Sequence, residues 1–137
     1  MTSEGKITNG RTITETDIVM FSYFTGDWTY LHTDRELAEK SIFGERVAHG
    51  YLTLSVSLGL MIRSGAINTD VFMALKSIES VNFLKPVKIG DTLTVSYSAE
   101  RRESKPGTVV VTLSAKTYNQ RKECVMDFKT VHLERKE

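Results

Sequence analysis

Asp27 and His32 stand five positions apart in the stretch Thr25-Gly26-Asp27-Trp28-Thr29-Tyr30-Leu31-His32, and His49-Gly50 later opens a run of apolar and small residues. A carboxylate and an imidazole together can orient and deprotonate a water molecule, and a backbone N–H at a helix start can hold an oxygen on which negative charge develops. Those parts suit addition of water across a double bond conjugated to a carbonyl. Spacing alone leaves a second reading open, because an Asp after Gly often caps a turn and a histidine often only satisfies a backbone carbonyl. Gly50 is either the small residue that a crowded helix start needs or the point where a substrate carbonyl meets a backbone N–H. His49 reads as structural rather than catalytic. His132, in a terminal strand near Glu134 and Arg135, reads as surface.

Other chemistries are less well supplied. His32 and Asp34 form a His-x-Asp pair, but no further ligand follows at a metal-site spacing and Cys124 is isolated, so no metal is expected. Ser55 and Ser57 lack the strand-turn-helix context of a nucleophile elbow, and they are expected to bond back to helix carbonyls.

The elements that must position these residues follow from pattern. Thr14 followed by Asp17 resembles a capping arrangement, and Ile18, Phe21 and Phe24 then recur at helical spacing, which predicts a helix over 15–25 that stops at Gly26. A short helix is expected over 34–40. A third, over 48–63, is apolar or small on every face and so is expected to be buried on all sides, with Gly59 allowing a bend or a close approach.

After Asp70 the period becomes two. Leu93, Val95, Tyr97 and Ala99 alternate with polar residues, as do Val109, Val111, Leu113 and Ala115, and the ESKPG and NQRKE segments read as hairpin loops. The segment from Lys85-Pro86 to Gly90-Asp91 ends the strand before them. An antiparallel meander of at least four strands is expected, with a bulge near Lys129 where the apolar parity changes from Met126 and Phe128 to Val131 and Leu133. One buried helix plus a long antiparallel sheet gives an α+β domain whose sheet wraps the helix.

The chain of 137 residues and 15.4 kDa fits a single domain over 1–137, and its 40% apolar and 26% charged composition is that of a folded protein. With 18 Lys and Arg against 17 Asp and Glu there is no global field to hold a polyanion, so no nucleic-acid partner is expected. One cysteine excludes an internal disulfide and suits a reducing compartment such as the cytoplasm. The N-terminal residues lack a signal-peptide pattern, and the run YLTLSVSLGLMI falls short of the ~20 residues that cross a bilayer, so a soluble protein with no membrane partner is expected.

Thr25-Gly26-Asp27, His32, Asp34, Ala38, Val47-Ala48-His49-Gly50 and Leu58-Gly59-Leu60, together with the VNFLKPVKIGD segment, resemble the MaoC-like dehydratases, which include the R-specific enoyl-CoA hydratases. The likeness implies a hotdog fold, a long helix wrapped by an antiparallel sheet, and a homodimer that binds an acyl-CoA thioester near its interface. It implies catalytic roles for Asp27 and His32 toward water, a Gly50 N–H on the thioester oxygen, substrate contacts from Thr29, Tyr30 and His49, and no cofactor. The reaction implied is reversible hydration of an α,β-unsaturated acyl-CoA to a β-hydroxyacyl-CoA.

Two positions depart from the family pattern. Thr29-Tyr30 stands where Asn-Pro is common, and Leu58 where a serine often precedes Gly-Leu. Those departures keep a noncatalytic acyl-CoA-binding module open as an alternative. A hotdog thioesterase needs a carboxylate on the buried helix, and residues 50 to 62 contain no Asp or Glu.

Overall fold

Thr14 caps the first helix as its sequence suggests: its hydroxyl accepts the Asp17 N–H at 3.1 Å while the Asp17 carboxylate accepts the Thr14 N–H at 2.8 Å. The computed structural model describes residues 5–137, so the N-terminal pattern considered for a leader lies partly outside it. Two short strands, β1 (Lys6–Ile7) and β2 (Arg11–Thr12), precede α1 (Glu15–Thr25), α2 (Tyr30–Thr33), α3 (Arg35–Glu39) and α4 (Gly50–Arg63). Four long strands follow: β3 (Phe72–Phe83), β4 (Thr92–Lys105), β5 (Thr108–Tyr118) and β6 (Cys124–Arg135). The result is α+β, with helices first and an antiparallel sheet after.

The sheet order is β1-β4-β5-β6-β3, with β2 also on β4. Only β4-β5-β6 is a meander. The expected four-strand meander is corrected by β3, which pairs with β6 and becomes the far edge. The expected bulge near Lys129 is also displaced: β6 runs in unbroken register with β5 from Met126 to Arg135, and the irregularities lie on β3, between Phe72 and Ala74, Leu75 and Ser77, and Ile78 and Ser80.

The apolar parity change misleads because Met126, Phe128, Thr130, His132 and Glu134 all share the buried side and are at most 3% exposed. The buried face simply turns polar towards the C-terminus. His132 is therefore not a surface residue. Its Nε2 lies 2.8 Å from Glu134 Oε2, and Arg101 holds Glu134 Oε1 at 2.5 Å. Burial pushes the Glu134 carboxyl up, but hydrogen bonds from Arg101 and His132 outweigh it and leave the group below the usual carboxylate range.

Helix α4 rests on the sheet through Leu52, Leu60 and Met61, and two hydroxyl pairs fix its rotation: Ser57 with Thr117 at 2.7 Å and Ser64 with Tyr97 at 2.6 Å. Ser55 and Ser57 also donate to the carbonyls of Tyr51 and Thr53, as expected. The helix is not buried on all sides, however. The sheet covers it from one side, and the stripe through Tyr51, Ser55 and Ile62 is open, with Tyr51 71% exposed. Apart from its chain neighbours and the backbone of its own helix, no atom of the described residues would lie within 4 Å of a Cβ at Gly59.

Removing the guanidinium strips the buried Glu134 of its counter-charge. Arg101→Leu should cost about 1.5–3 kcal/mol, the range for a hydrogen bond to a charged group, rather than the larger loss of a fully buried pair, because Arg101 is 42% exposed. Urea unfolding measures this as a lower midpoint.

Candidate active site

Four chain segments meet at the start of α4. Gly26, at φ 82°, closes α1 in the left-handed conformation and donates its N–H to the Ser22 carbonyl at 2.8 Å, which turns the chain so that Asp27 follows immediately. Asp27 Oδ1 accepts both the Thr29 hydroxyl, at 2.6 Å, and the Thr29 N–H, at 3.1 Å. These two bonds, the hydroxyl first, hold the Asp27 carboxyl below the usual carboxylate range.

His32 does not lie in an irregular loop as its spacing suggests; it sits in the one-turn helix α2. Its Nδ1 is 2.8 Å from the Val47 carbonyl, and a carbonyl can only accept, so Nδ1 carries a proton and Nε2 is the nitrogen with the free lone pair in the neutral ring. The Val47 N–H donates to the Leu31 carbonyl at 3.0 Å, and Arg46 Nε donates to the His32 carbonyl at 2.7 Å. Segment 46–48 is in turn bound to the chain after β3 by Ala48 N–H to the Val87 carbonyl at 2.7 Å. Asp34 belongs to the architecture: its carboxylate caps α3 by accepting the Leu37 N–H at 3.0 Å.

His49 is 1% exposed and stacks on His32, with ring centroids 3.9 Å apart and planes 25° from parallel. Its Nε2 lies 2.9 Å from the Ser22 hydroxyl and 3.2 Å from the Asp27 carbonyl, while its Nδ1 has no partner. Burial, then the neighbouring His32, lowers its pKa below the ordinary 6.5. His49 is the N-cap of α4 and offers no side-chain cap, so the first N–H groups of that helix, Gly50 among them, keep their donor capacity and the positive end of the helix dipole.

Asp27, His32, His49, Gly50, Tyr51 and Phe83 line a cleft of about 270 Å³. Of the residues singled out in the sequence, Asp27, His32, His49 and Gly50 are thus brought together. Thr29 and Tyr30 do not line that cleft; the Thr29 hydroxyl is engaged by Asp27 and Tyr30 is 48% exposed. Ser22, fully buried against His49, and Phe83, which comes from a distant strand, escape sequence reasoning. Ser22 does leave a trace as a hydroxyl one turn after Ile18 and next to Phe21, on the side of α1 where Ile18 is buried.

One candidate ligand atom from each of Asp27, His32 and His49 lies within 4.8 Å of the others, a trio that the His32-x-Asp34 pair does not reveal. Imidazole lone pairs lie in the ring planes, and an ion held at about 2.0–2.1 Å by both rings of this stack would sit out of both planes. The donor set suits a hydrogen-bonded water better than a cation.

Residues 3–120 match the family described as MaoC like domain. The protein MaoC of Klebsiella aerogenes is 41% identical over 99 residues, covering 72% of this chain and 29% of that protein. The (R)-specific enoyl-CoA hydratase of Rhodospirillum rubrum is 33% identical over 92 residues, 64% of this chain and 58% of that enzyme. The chain therefore spans less than two thirds of either relative. A crystal structure of an Archaeoglobus protein called a monoamine oxidase regulatory protein superposes with a TM-score of 0.94 at 38% identity, covering 100% of this chain and 92% of that one. A double-hotdog protein of Mycobacterium tuberculosis superposes with a TM-score of 0.82 over 98% of this chain and 43% of its own, and at 20% identity it shows the fold alone.

The buried imidazole makes stability depend on pH in a stated direction. The unfolded chain takes up the His49 proton near 6.5 and the folded chain only at lower pH. Between those values the unfolded state binds more protons, so stability falls as pH drops below 6.5. Depressed carboxylates such as Asp17 and Asp27 act only below their ordinary 3.8. Thermal midpoints measured from about pH 8 to about pH 5 should fall on the acid side, and His49→Gln should flatten that slope.

Proposed function

The chain belongs to the MaoC-like dehydratase family, with its hotdog fold, and from that premise we propose that it adds water reversibly to an α,β-unsaturated acyl-CoA thioester to give a β-hydroxyacyl-CoA. The observation that carries this reading is the hydrogen bond from His32 Nδ1–H to the Val47 carbonyl, which makes Nε2 the basic nitrogen of the neutral ring, on a cleft shared with Asp27 and Gly50.

His32 is the better base of the two. Thr29 lowers the pKa of Asp27, so its carboxylate stays ionised, accepts a hydrogen bond from the water and stabilises the imidazolium that forms. Nε2 takes one proton from the water as the water oxygen bonds to the β-carbon. The π electrons move onto the thioester oxygen, where the Gly50 N–H and the α4 dipole hold the negative charge. As the enolate collapses, the imidazolium returns that proton to the α-carbon. No redox equivalent is transferred, and the same steps in reverse are the dehydration. On this reading Thr29 positions the acid, Tyr30 flanks the entrance, and His49 supports the base from below.

The same reading includes one domain over residues 1–137, a cytoplasmic setting and a homodimer. Edge strand β3 exposes Phe72, Met73, Leu75 and Ile78 at 40–57%, and such an edge needs cover. Among the described residues no helix is long and apolar enough to cross a membrane.

A noncatalytic acyl-CoA-binding module is the second reading, favoured by Thr29-Tyr30 standing in the acid-to-histidine interval. Following the conjugated thioester absorbance over a panel of enoyl-CoAs separates the two. Loss of absorbance with intact thioester supports hydration, flat traces with tight binding support the module, and release of free CoA supports a thioesterase.

Asp27→Asn keeps the shape and removes the charge, and His32→Ala removes the base; each should lower kcat about 100- to 10,000-fold with folding preserved. Unchanged turnover in a folded Asp27→Asn protein would reduce Asp27 to a turn cap. His132 lies six residues along β6 from Met126, the partner of Phe83, or about 20 Å from the site. His132→Ala should therefore lower the melting temperature, because the residue is buried, while leaving the kcat of the folded protein nearly unchanged. Light scattering at micromolar concentration should give twice 15.4 kDa, and a monomeric mass would contradict the dimer.

A further inference from the structure

Phe83 ends β3 opposite Met126, and its ring lies across the first residue of α4. A Cβ on Gly50 would stand 2.9 Å from Phe83 Cε1 and 3.0 Å from Cζ, so the ring and the helix start are in contact and a side chain there would clash. With the ring in this position, only glycine fits at position 50 without displacing it.

The cleft of about 270 Å³ that holds Asp27 and His32 is not the larger cavity beside it. A second space of about 420 Å³ shares His32, Gly50 and Phe83 with the cleft. Beyond those residues it is walled by Leu31, Phe43, Val47, Leu84, Val87 and Val125. Lys85 also reaches it, but its ammonium is paired with Glu123 at 2.7 Å. Phe83 thus lines both the cleft that holds the catalytic pair and the apolar chamber next to it. The ring is 54% exposed, so it can change rotamer without opening a void in the core.

We infer that Phe83 is a specificity-determining residue that limits acyl-chain length, its ring partitioning the catalytic cleft from an apolar chamber that takes the tail. This rests on the hydratase reading and extends it. A short unsaturated acyl group is accommodated before the ring. A longer tail reaches the chamber only by displacing the ring from Gly50, and this displacement opposes the roughly fourfold gain in binding that each buried methylene brings. At roughly 30 Å³ per methylene-sized group, taking the liquid volume of a water as the measure, the chamber holds a medium-length tail once the ring has moved.

The test compares crotonyl-CoA with octenoyl-CoA for the full chain and for Phe83→Ala. The long-to-short ratio of kcat/KM should rise at least about tenfold in the variant, mainly through a lower KM for octenoyl-CoA, since removal of one aromatic wall exceeds the discrimination of a single methylene. Phe83→Leu keeps the apolar contact and should give an intermediate ratio; it carries the test should Phe83→Ala not fold. An unchanged ratio in an active protein, or kcat falling equally with both substrates, overturns the inference and leaves the hydratase reading standing. A parent protein that hydrates neither substrate overturns both.

Discussion

The 2.8 Å hydrogen bond from His32 Nδ1 to the Val47 carbonyl joins the segment that carries Asp27 and His32 to the start of the helix that carries the Gly50 N–H. It does two things at once. It fixes the imidazole tautomer, and so decides which nitrogen can act as a base, and it sets the distance between that nitrogen and the first turn of α4. Around it the backbone bonds from Val47 to Leu31 and from Ala48 to Val87 tie α2, the helix entry and the chain after β3 together. His49 reinforces the arrangement by stacking under His32 while Ser22 and the Asp27 carbonyl hold its own ring.

That bond matters only if α4 is itself immobile, and its immobility comes from the sheet. Leu52, Leu60 and Met61 bury the helix side that faces β4 and β5, and the Ser57–Thr117 and Ser64–Tyr97 pairs set its rotation with directional bonds that apolar contacts lack. Rotation is what aims the Gly50 N–H. Phe83 then meets Gly50 from the end of β3, so a strand remote in sequence closes a cleft whose other residues all come from 27–51.

Much of this was legible in the sequence, for identifiable reasons. The Thr14 and Asp17 capping box, the Gly26 stop, the short helix expected from Asp34 and the alternation in β4 and β5 are local signals, and the structure follows them. Asp27, His32, His49 and Gly50 stand out in the sequence because two short segments, 25–32 and 49–50, carry them. What was not legible depends on partners far along the chain. The place of β3 beside β6 has no local mark, because the two strands are far apart in the chain and their pairing is not written in the period of either. The polar end of the β6 inner face looked like a register shift because His132 and Glu134 are buried as a pair with Arg101, and pairing is invisible to hydropathy. The open stripe of α4 looked buried because Tyr51, Ser55 and Ile62 are the residues a second surface would cover.

The central claim is that Asp27 and His32 direct a water molecule to carbon rather than to the thioester carbonyl. Mass spectrometry of the products formed from crotonyl-CoA in heavy-oxygen water tests it most directly. The account predicts one labelled oxygen on the β-carbon of an intact CoA thioester, formed by the parent protein and lost in Asp27→Asn. Label in a free carboxylate with CoA released, or labelled thioester still formed at the parent rate by Asp27→Asn, would contradict it.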